Sequence, residues 1–333
     1  MRTILAAITL VFGLAPTVSM VQAADVNIQI GWTPGTSPRF FVARDQQAFQ
    51  KAGLAPQYSK FITGPTMLAA LKGEDIDVAF MTTPPAIFGL AQELDIRVFF
   101  IESDASGTQA LVSTTQAAMK SLADQKGRVI GVTYGTSAHY ALLKSLEKFK
   151  LTQADVKILD MQPSAMLPAF INGNIAGAWS WDPWTAKMEN EGGMLVGSLT
   201  TMQLPMPGVW VVRTKWLSGN KDAVQRFINA MDATTSYMKT HEGEAVSALG
   251  KELGVDPDLA KRIYGRIQVP ELPAQIKGYV ADLGTVETKE QSGMFAHMKD
   301  IATFFFDLKR IPVNPNVAIA IDPEPLETYL KTK

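Results

Sequence analysis

Three short stretches place small hydroxylated residues beside proline or glycine where a β pattern gives way to a helical one. They are Thr63-Gly64-Pro65-Thr66, Thr82-Thr83-Pro84-Pro85 and Thr136-Ser137-Ala138-His139. N–H groups in the first turn of a helix have no intrahelical acceptor, and the helix dipole adds positive potential there. Such starts can hold an anion without Lys or Arg. Ser and Thr at these places also serve as plain N-caps, so a single stretch carries little. Three of them at strand ends, in both halves of the chain, point to one anion site, because α/β sheets bind ligands along that edge. Thr63, Thr66, Thr83, Thr136, Ser137 and His139 are the candidate ligands. His139 also reads as an ordinary packed histidine.

Aromatic residues form a second group. Trp179-Ser180-Trp181-Asp182-Pro183-Trp184 gathers three of the six tryptophans where a strand should end. Alternation places Trp179 and Trp181 on one face and Ser180 and Asp182 on the other. Trp181, with Trp32 at another strand end, could wall a ligand with a short aliphatic body or a cation. Asp182 has two readings: a counter-ion for a ligand ammonium, or an N-cap for a helix beginning at Pro183.

Enzyme signatures are missing. No G-x-S-x-G, G-x-x-x-x-G-K-[ST], H-E-x-x-H or G-x-G-x-x-G occurs. The chain has no cysteine, so thiol nucleophiles, thiolate metal sites and disulfides are excluded, and its three histidines are too scattered for a metal cluster. We expect no catalytic residue, metal or cofactor. With Lys+Arg 31 and Asp+Glu 32 over 333 residues, the balance argues against nucleic acid, which wants a basic surface. At 47% hydrophobic and 19% charged, the chain is globular rather than disordered.

The elements that must position these residues follow from the periodicity. Residues 1–23 read as a secretory signal: Arg2, an apolar run from Ile4 to Leu14, and Val21-Gln22-Ala23 before the cut. Strand–helix units then alternate: strands near 26–30, 58–62, 76–81 and 96–101, with helices over 38–52, 66–72 and 85–93. A second set has strands at 128–133, 155–160 and 176–181, and helices at 137–149, at 164–172 and from Pro183. Two β-rich segments, Ala110–Val112 and Val209–Val212, bracket this set as crossings between lobes. Val224, Phe227, Ile228 and Met231 share one helical face, as do Met294, Met298, Ile301, Phe305 and Leu308. Pro312, Pro315, Pro323 and Pro325 predict an extended tail. The expected layout is α/β, with lobe 1 over 24–111 and 211–333 and lobe 2 over 112–210. A cleft between lobes is a favoured place for a ligand.

The order Ile30-Gly31-Trp32, Gly64-Pro65, Ala69-Ala70-Leu71-Lys72-Gly73-Glu74-Asp75-Ile76-Asp77-Val78-Ala79 and Asp182-Pro183 resembles periplasmic binding proteins of ABC importers, in the taurine/nitrate/aliphatic-sulfonate group. Thr136-Ser137-Ala138-His139-Tyr140, Met161-Gln162-Pro163 and Val209-Trp210-Val211-Val212-Arg213 resemble taurine binders. The resemblance implies a two-lobed type II periplasmic-binding-protein fold: mixed sheets flanked by helices, with two hinge crossings. It implies a monomer in the periplasm that closes on a small organosulfonate and hands it to an inner-membrane permease. It sets the sulfonate near Thr63 to Thr66, Thr83, and Thr136 to His139. Gln109, Gln162 and Asp182 would read the far end of the ligand. Taurine binders carry acids where this chain has Gln109 and Gly208, so the resemblance favours the sulfonate over the amine.

Overall fold

Runs of β-branched and aromatic residues become strands here, and the Gly and Pro positions between them become helix boundaries. The structure is a computed structural model that describes residues 25–275 and 293–333. The expected signal, residues 1–23, lies outside the described residues.

The first units run β1 (Val26–Trp32), α1 (Pro38–Asp45), α2 (Ala48–Lys51), β2 (Leu54–Lys60), α3 (Gly64–Lys72), β3 (Val78–Thr82), α4 (Thr83–Ala91) and β4 (Ile96–Asp104). β1 lies parallel to β2 and β3, and buries Ile28 and Ile30. The single helix expected over 38–52 is broken, because Gln47 takes a left-handed conformation (φ 56°).

The second units run β5 (Gln109–Ser113), β6 (Val129–Val132), α5 (Ser137–Lys148), β7 (Lys157–Asp160), α6 (Pro163–Ile171), β8 (Gly177–Trp181), α7 (Trp184–Asn190) and β9 (Met194–Ser198). β9 was not expected: Met194 and Leu195 face solvent at the sheet edge, so the run has no period-two signal. β10 (Pro207–Arg213) then returns antiparallel between β3 and β4. The result is two mixed five-stranded sheets, ordered β2-β1-β3-β10-β4 and β7-β6-β8-β5-β9. The connections between them run side by side. Ala105 N donates to Met206 O at 2.8 Å, and Leu199 N to Gln109 O at 3.1 Å.

After β10 the described chain is helical: α8 (Thr214–Gly219), α9 (Lys221–Met238), α10 (Glu242–Leu253), α11 (Pro257–Tyr264), α12 (Leu272–Gln275), α13 (Gly293–Asp307) and α14 (Glu324–Lys331). α9 buries Val224, Phe227, Ile228 and Met231. α13 buries Met294, Met298, Ile301 and Phe305, whereas Leu308 follows the helix end and is exposed. α13 touches both groups of elements: Phe305 packs on Phe88 of α4 at 5.0 Å and on His139 of α5 at 5.9 Å. The tail is not extended as expected. Pro323 and Pro325 sit at the start of α14, where proline is tolerated because first-turn N–H groups have no helical acceptor.

Candidate functional site

A cleft of about 420 Å³ lies where the carboxyl ends of β1, β3 and β8 face one another. From the first sheet it is lined by Thr33 to Thr36, Thr63, Gly64, Phe80, Met81, Thr82 and Pro85. From the second come Gln109, Thr136, Ser137 and Trp181. The two sides approach closely. A Cβ on Gly135 would meet Pro65 Cγ at 3.3 Å, and one on Gly35 would meet Trp181 Cδ1 at 3.6 Å. None of the lining residues is charged.

The donors facing this space are mostly main-chain. Ser137 and Ala138 open α5, and their N–H groups have no partner among the described residues. Gly64 N at the start of α3 is also without one, while Pro65 has no N–H at all. The hydroxyls are largely committed. Thr136 Oγ1 donates to Thr133 O at 2.6 Å and accepts from His139 N at 3.4 Å. Ser137 Oγ donates to Gln109 Oε1 at 2.7 Å.

That last bond fixes the Gln109 amide. Thr108 Oγ1 gives its only proton to Ala105 O at 2.8 Å, so it must accept from Gln109 Nε2 at 3.2 Å. The amide oxygen therefore faces Ser137. Thr66 Oγ1 donates to Thr63 O at 2.6 Å, leaving Thr63 with a long 3.5 Å contact to Thr66. Thr63 is thus the lining threonine of these two helix starts whose proton is most easily turned to a ligand.

Of the expected site residues, Thr63, Gln109, Thr136, Ser137 and Trp181 come together in the cleft. The others do not line it. Trp32 packs into the core of the first sheet, with Phe40 at 5.6 Å and Tyr58 at 6.1 Å, and donates Nε1 to Glu252 at 3.3 Å. Its strand end points inward, so the expected second aromatic wall is Phe80 instead. Thr66 is exposed and closes the capping box of α3. Thr83 is fully buried behind the wall, 2.8 Å from His297 Nε2, and the two prolines after it supply no N–H. Gln162 caps α6 with its side chain in solvent.

Asp182 is 0% exposed. It accepts from Thr185 Oγ1 and from Ala186 N at 3.1 Å, and pairs with Arg266 at 3.3 Å. The Thr185 and Ala186 contacts reach into the first turn of α7, although the N-cap position itself is Pro183 and not Asp182 as expected. Burial pushes its carboxyl above the usual carboxylate range, opposed by Arg266, Thr185 and Ala186. Sequence reasoning missed Phe80, Met81 and the Thr33–Thr36 loop. The Gly-Trp-Thr-Pro strand end at residues 31–34 was the available signal for the loop.

His139 is buried behind the α5 start, stacked on Tyr134 at 4.4 Å. Nδ1 accepts from Gly135 N at 3.3 Å, so the proton lies on Nε2, which has no partner. Burial, then the nearby Arg310 charge, pushes its pKa down to about 3; burial takes His297 down to about 4. Both stay neutral in the folded chain at pH 5–8. The unfolded chain takes up these protons near pH 6.5, so their stabilisation is full above that pH and is lost on acidification toward the folded values. His139→Gln should reduce the stability lost between pH 7 and pH 5 by about 2 kcal/mol, read from urea unfolding at each pH. An unchanged loss would refute a neutral buried imidazole.

Residues 22–249 match the model of the NMT1-like family. The taurine-binding periplasmic protein of Escherichia coli (strain K12) is 25% identical over 304 residues, covering 89% of this chain and 91% of that protein. A putative aliphatic sulfonates-binding protein of Bacillus subtilis (strain 168) is 27% identical over 244 residues, covering 71% and 73%. Among solved structures, the alkanesulfonate-binding protein SsuA from Xanthomonas axonopodis pv. citri bound to MOPS superposes with a TM-score of 0.76 at 19% identity, over 90% of this chain and 99% of that one.

Proposed function

Since this chain belongs to the NMT1-like family, we propose that it is the periplasmic solute-binding component of an ABC importer, capturing a short organosulfonate and delivering it to an inner-membrane permease. On this reading the lobes divide a little differently from the expected 24–111 and 211–333 against 112–210: β5 (Gln109–Ser113) pairs in the second sheet and β10 (Pro207–Arg213) in the first, so both strands lie inside lobes and the paired connections before them are the hinge. Residues 1–23 direct export and are removed. The mature protein works as a monomer without cofactor or metal. Among the described residues no helix is long and apolar enough to cross a membrane, and no cluster of acids or histidines is placed to hold a metal ion.

One observation carries this reading: residues with unpartnered amides at two helix starts, Gly64 on one side and Ser137 on the other, line one cleft without charged side chains. A sulfonate offers three acceptor oxygens and one diffuse charge, which suits amides and a dipole better than a localised cation. Trp181, Phe80 and Met81 supply apolar walls for a tail. The likeness to sulfonate-binding relatives supports the same ligand class. A shared fold does not decide between binding and catalysis. Against catalysis stand the lack of any charged or nucleophile–base pair in the cleft and the character of the relatives. Incubating the protein with sulfonates and assaying for products tests that point.

The tail end bears on which sulfonate. No lining acid is present to answer an ammonium, Asp182 is committed elsewhere, and the Gln109 oxygen is held by Ser137. A Cβ on Gly208 would sit 2.8 Å from the Phe80 ring, so Phe80 occupies the space an acid there would need. Burying an unpaired ammonium costs several kcal/mol, partly offset by a tryptophan face. Ethanesulfonate should therefore bind about tenfold more tightly than taurine in isothermal titration. Tighter binding of taurine would refute the neutral tail site. No heat with taurine, isethionate, alkanesulfonates or nitrate would refute the anion reading as a whole.

A further inference from the structure

Asp182 is held by a residue from the other side of the molecule. Arg266 follows α11, and its neighbour Gln268 bridges Asp104 at the end of β4, with Asp104 N donating to Gln268 O at 2.7 Å. Arg266 is thus anchored to the first sheet, while its guanidinium reaches the second. Nη1 lies 3.4 and 3.3 Å from the two Asp182 oxygens, and Nη2 lies 2.9 and 3.0 Å from those of Glu189 on α7. Arg262 Nη2 makes a further bond across the same boundary, to Asn190 Oδ1 at 2.8 Å. Asp182 directly follows Trp181, the aromatic wall, and a Cβ on Gly35 from the first sheet would come within 3.6 Å of both.

We propose that Arg266 is a positioning residue: it clamps the Trp181-Asp182-Pro183 turn against the first lobe and so stabilises the closed cleft over the open one. The inference rests on the binding-protein reading of the cleft. A fork shared by two carboxylates, one of them wholly buried, is worth more than a surface pair, whose value is close to zero. Separating the lobes would leave Asp182 buried with its contacts to α7 but without its counter-charge. Whatever favours the closed state in the absence of ligand raises the affinity for every ligand by the same factor. Arg266 therefore acts on affinity, not on selectivity.

Three variants test this in the full-length mature chain: Arg266→Gln, Glu189→Gln and Asp182→Asn. Asp182→Asn keeps an oxygen that can accept from Thr185 and Ala186, so those contacts to α7 survive while the charge goes. Each variant should weaken taurine and ethanesulfonate alike, by about tenfold for Arg266→Gln, with their ratio unchanged. The Asp182→Asn/Arg266→Gln double variant should be no weaker than the weaker single one. Loss of taurine binding alone in Asp182→Asn would make Asp182 a ligand counter-ion and overturn the proposal. Because the chain has no cysteine, spin labels at Lys51→Cys and Lys157→Cys report the lobe separation uniquely. The ligand-free Arg266→Gln protein should show a longer distance than its parent, and an unchanged distance would overturn the clamp. This measurement needs no ligand, so it judges Arg266 even if every sulfonate fails to bind the parent protein.

Discussion

Replacing Ser137 with proline should weaken sulfonate binding by about 10- to 150-fold and leave the fold in place. The range follows from the roughly 1.5–3 kcal/mol carried by a hydrogen bond to a charged group. Ser137 is the first residue of α5, where proline is favoured and no intrahelical bond is lost. Thr136 before it has φ −104° and ψ 171°, the extended conformation a following proline requires. The substitution therefore removes one main-chain donor from the cleft at little cost to the helix. It also removes the hydroxyl that holds Gln109, so Ser137→Ala is the control. Since the Ser137 proton is committed to Gln109, the alanine variant should lose only a few-fold in affinity. Titration calorimetry on both, with thermal unfolding alongside, separates the two contributions. Equal losses would show that the hydroxyl, not the amide, is the group that matters.

The largest loss of stability should come from Glu102→Ala, about 3–5 kcal/mol by urea unfolding, the cost of leaving a buried charge uncompensated. Glu102 is fully buried in β4. Oε1 accepts from Phe40 N in the first turn of α1 at 3.2 Å, and Oε2 from Trp210 Nε1 at 3.0 Å. Desolvation raises its pKa, opposed mainly by Arg39, and that cation is itself fully buried. Removing the carboxylate leaves the Phe40 and Trp210 donors unpaired and takes a counter-charge from buried Arg39. Glu102→Gln should cost less, because one amide oxygen can still serve one donor. An alanine variant as stable as the parent would show that water replaces the carboxylate. The pairing also bears on the site. α1 begins just after the Thr33–Thr36 loop that lines the cleft, but its positive end is already answered by Glu102. The starts of α3 and α5 keep lining residues, Gly64 and Ser137, whose amides have no partner among the described residues.

The strand–helix alternation was legible because apolar periodicity, glycine stops and proline starts are local signals. The limits of α3, α5 and α6 fall within about two residues of where their caps and breakers set them. The misses have local causes as well. Gln47 adopts a left-handed turn without being glycine, β9 is an edge strand with an exposed apolar end, and the tail prolines begin a helix instead of preventing one.

The site was legible in kind and only partly in detail. Thr63, Thr136, Ser137 and Trp181 could be picked because a cap residue or a strand-end aromatic marks where a helix start or sheet edge must face. The roles of their atoms could not be read that way. Whether a hydroxyl proton is free depends on a neighbour: Gln109 is 28 positions from Ser137 in the chain. Trp32 and Trp181 have the same local setting, yet one faces a core packed by Phe40 and the other lines the cleft.

What the linear order determined by itself was where helices start at strand ends, since capping and dipole act within a few residues. The tertiary structure alone decided which amides remain unpartnered, which hydroxyls are spent, and that Asp182 lies against Arg266. Those outcomes depend on groups brought together from distant positions, and no local pattern records which partner arrives.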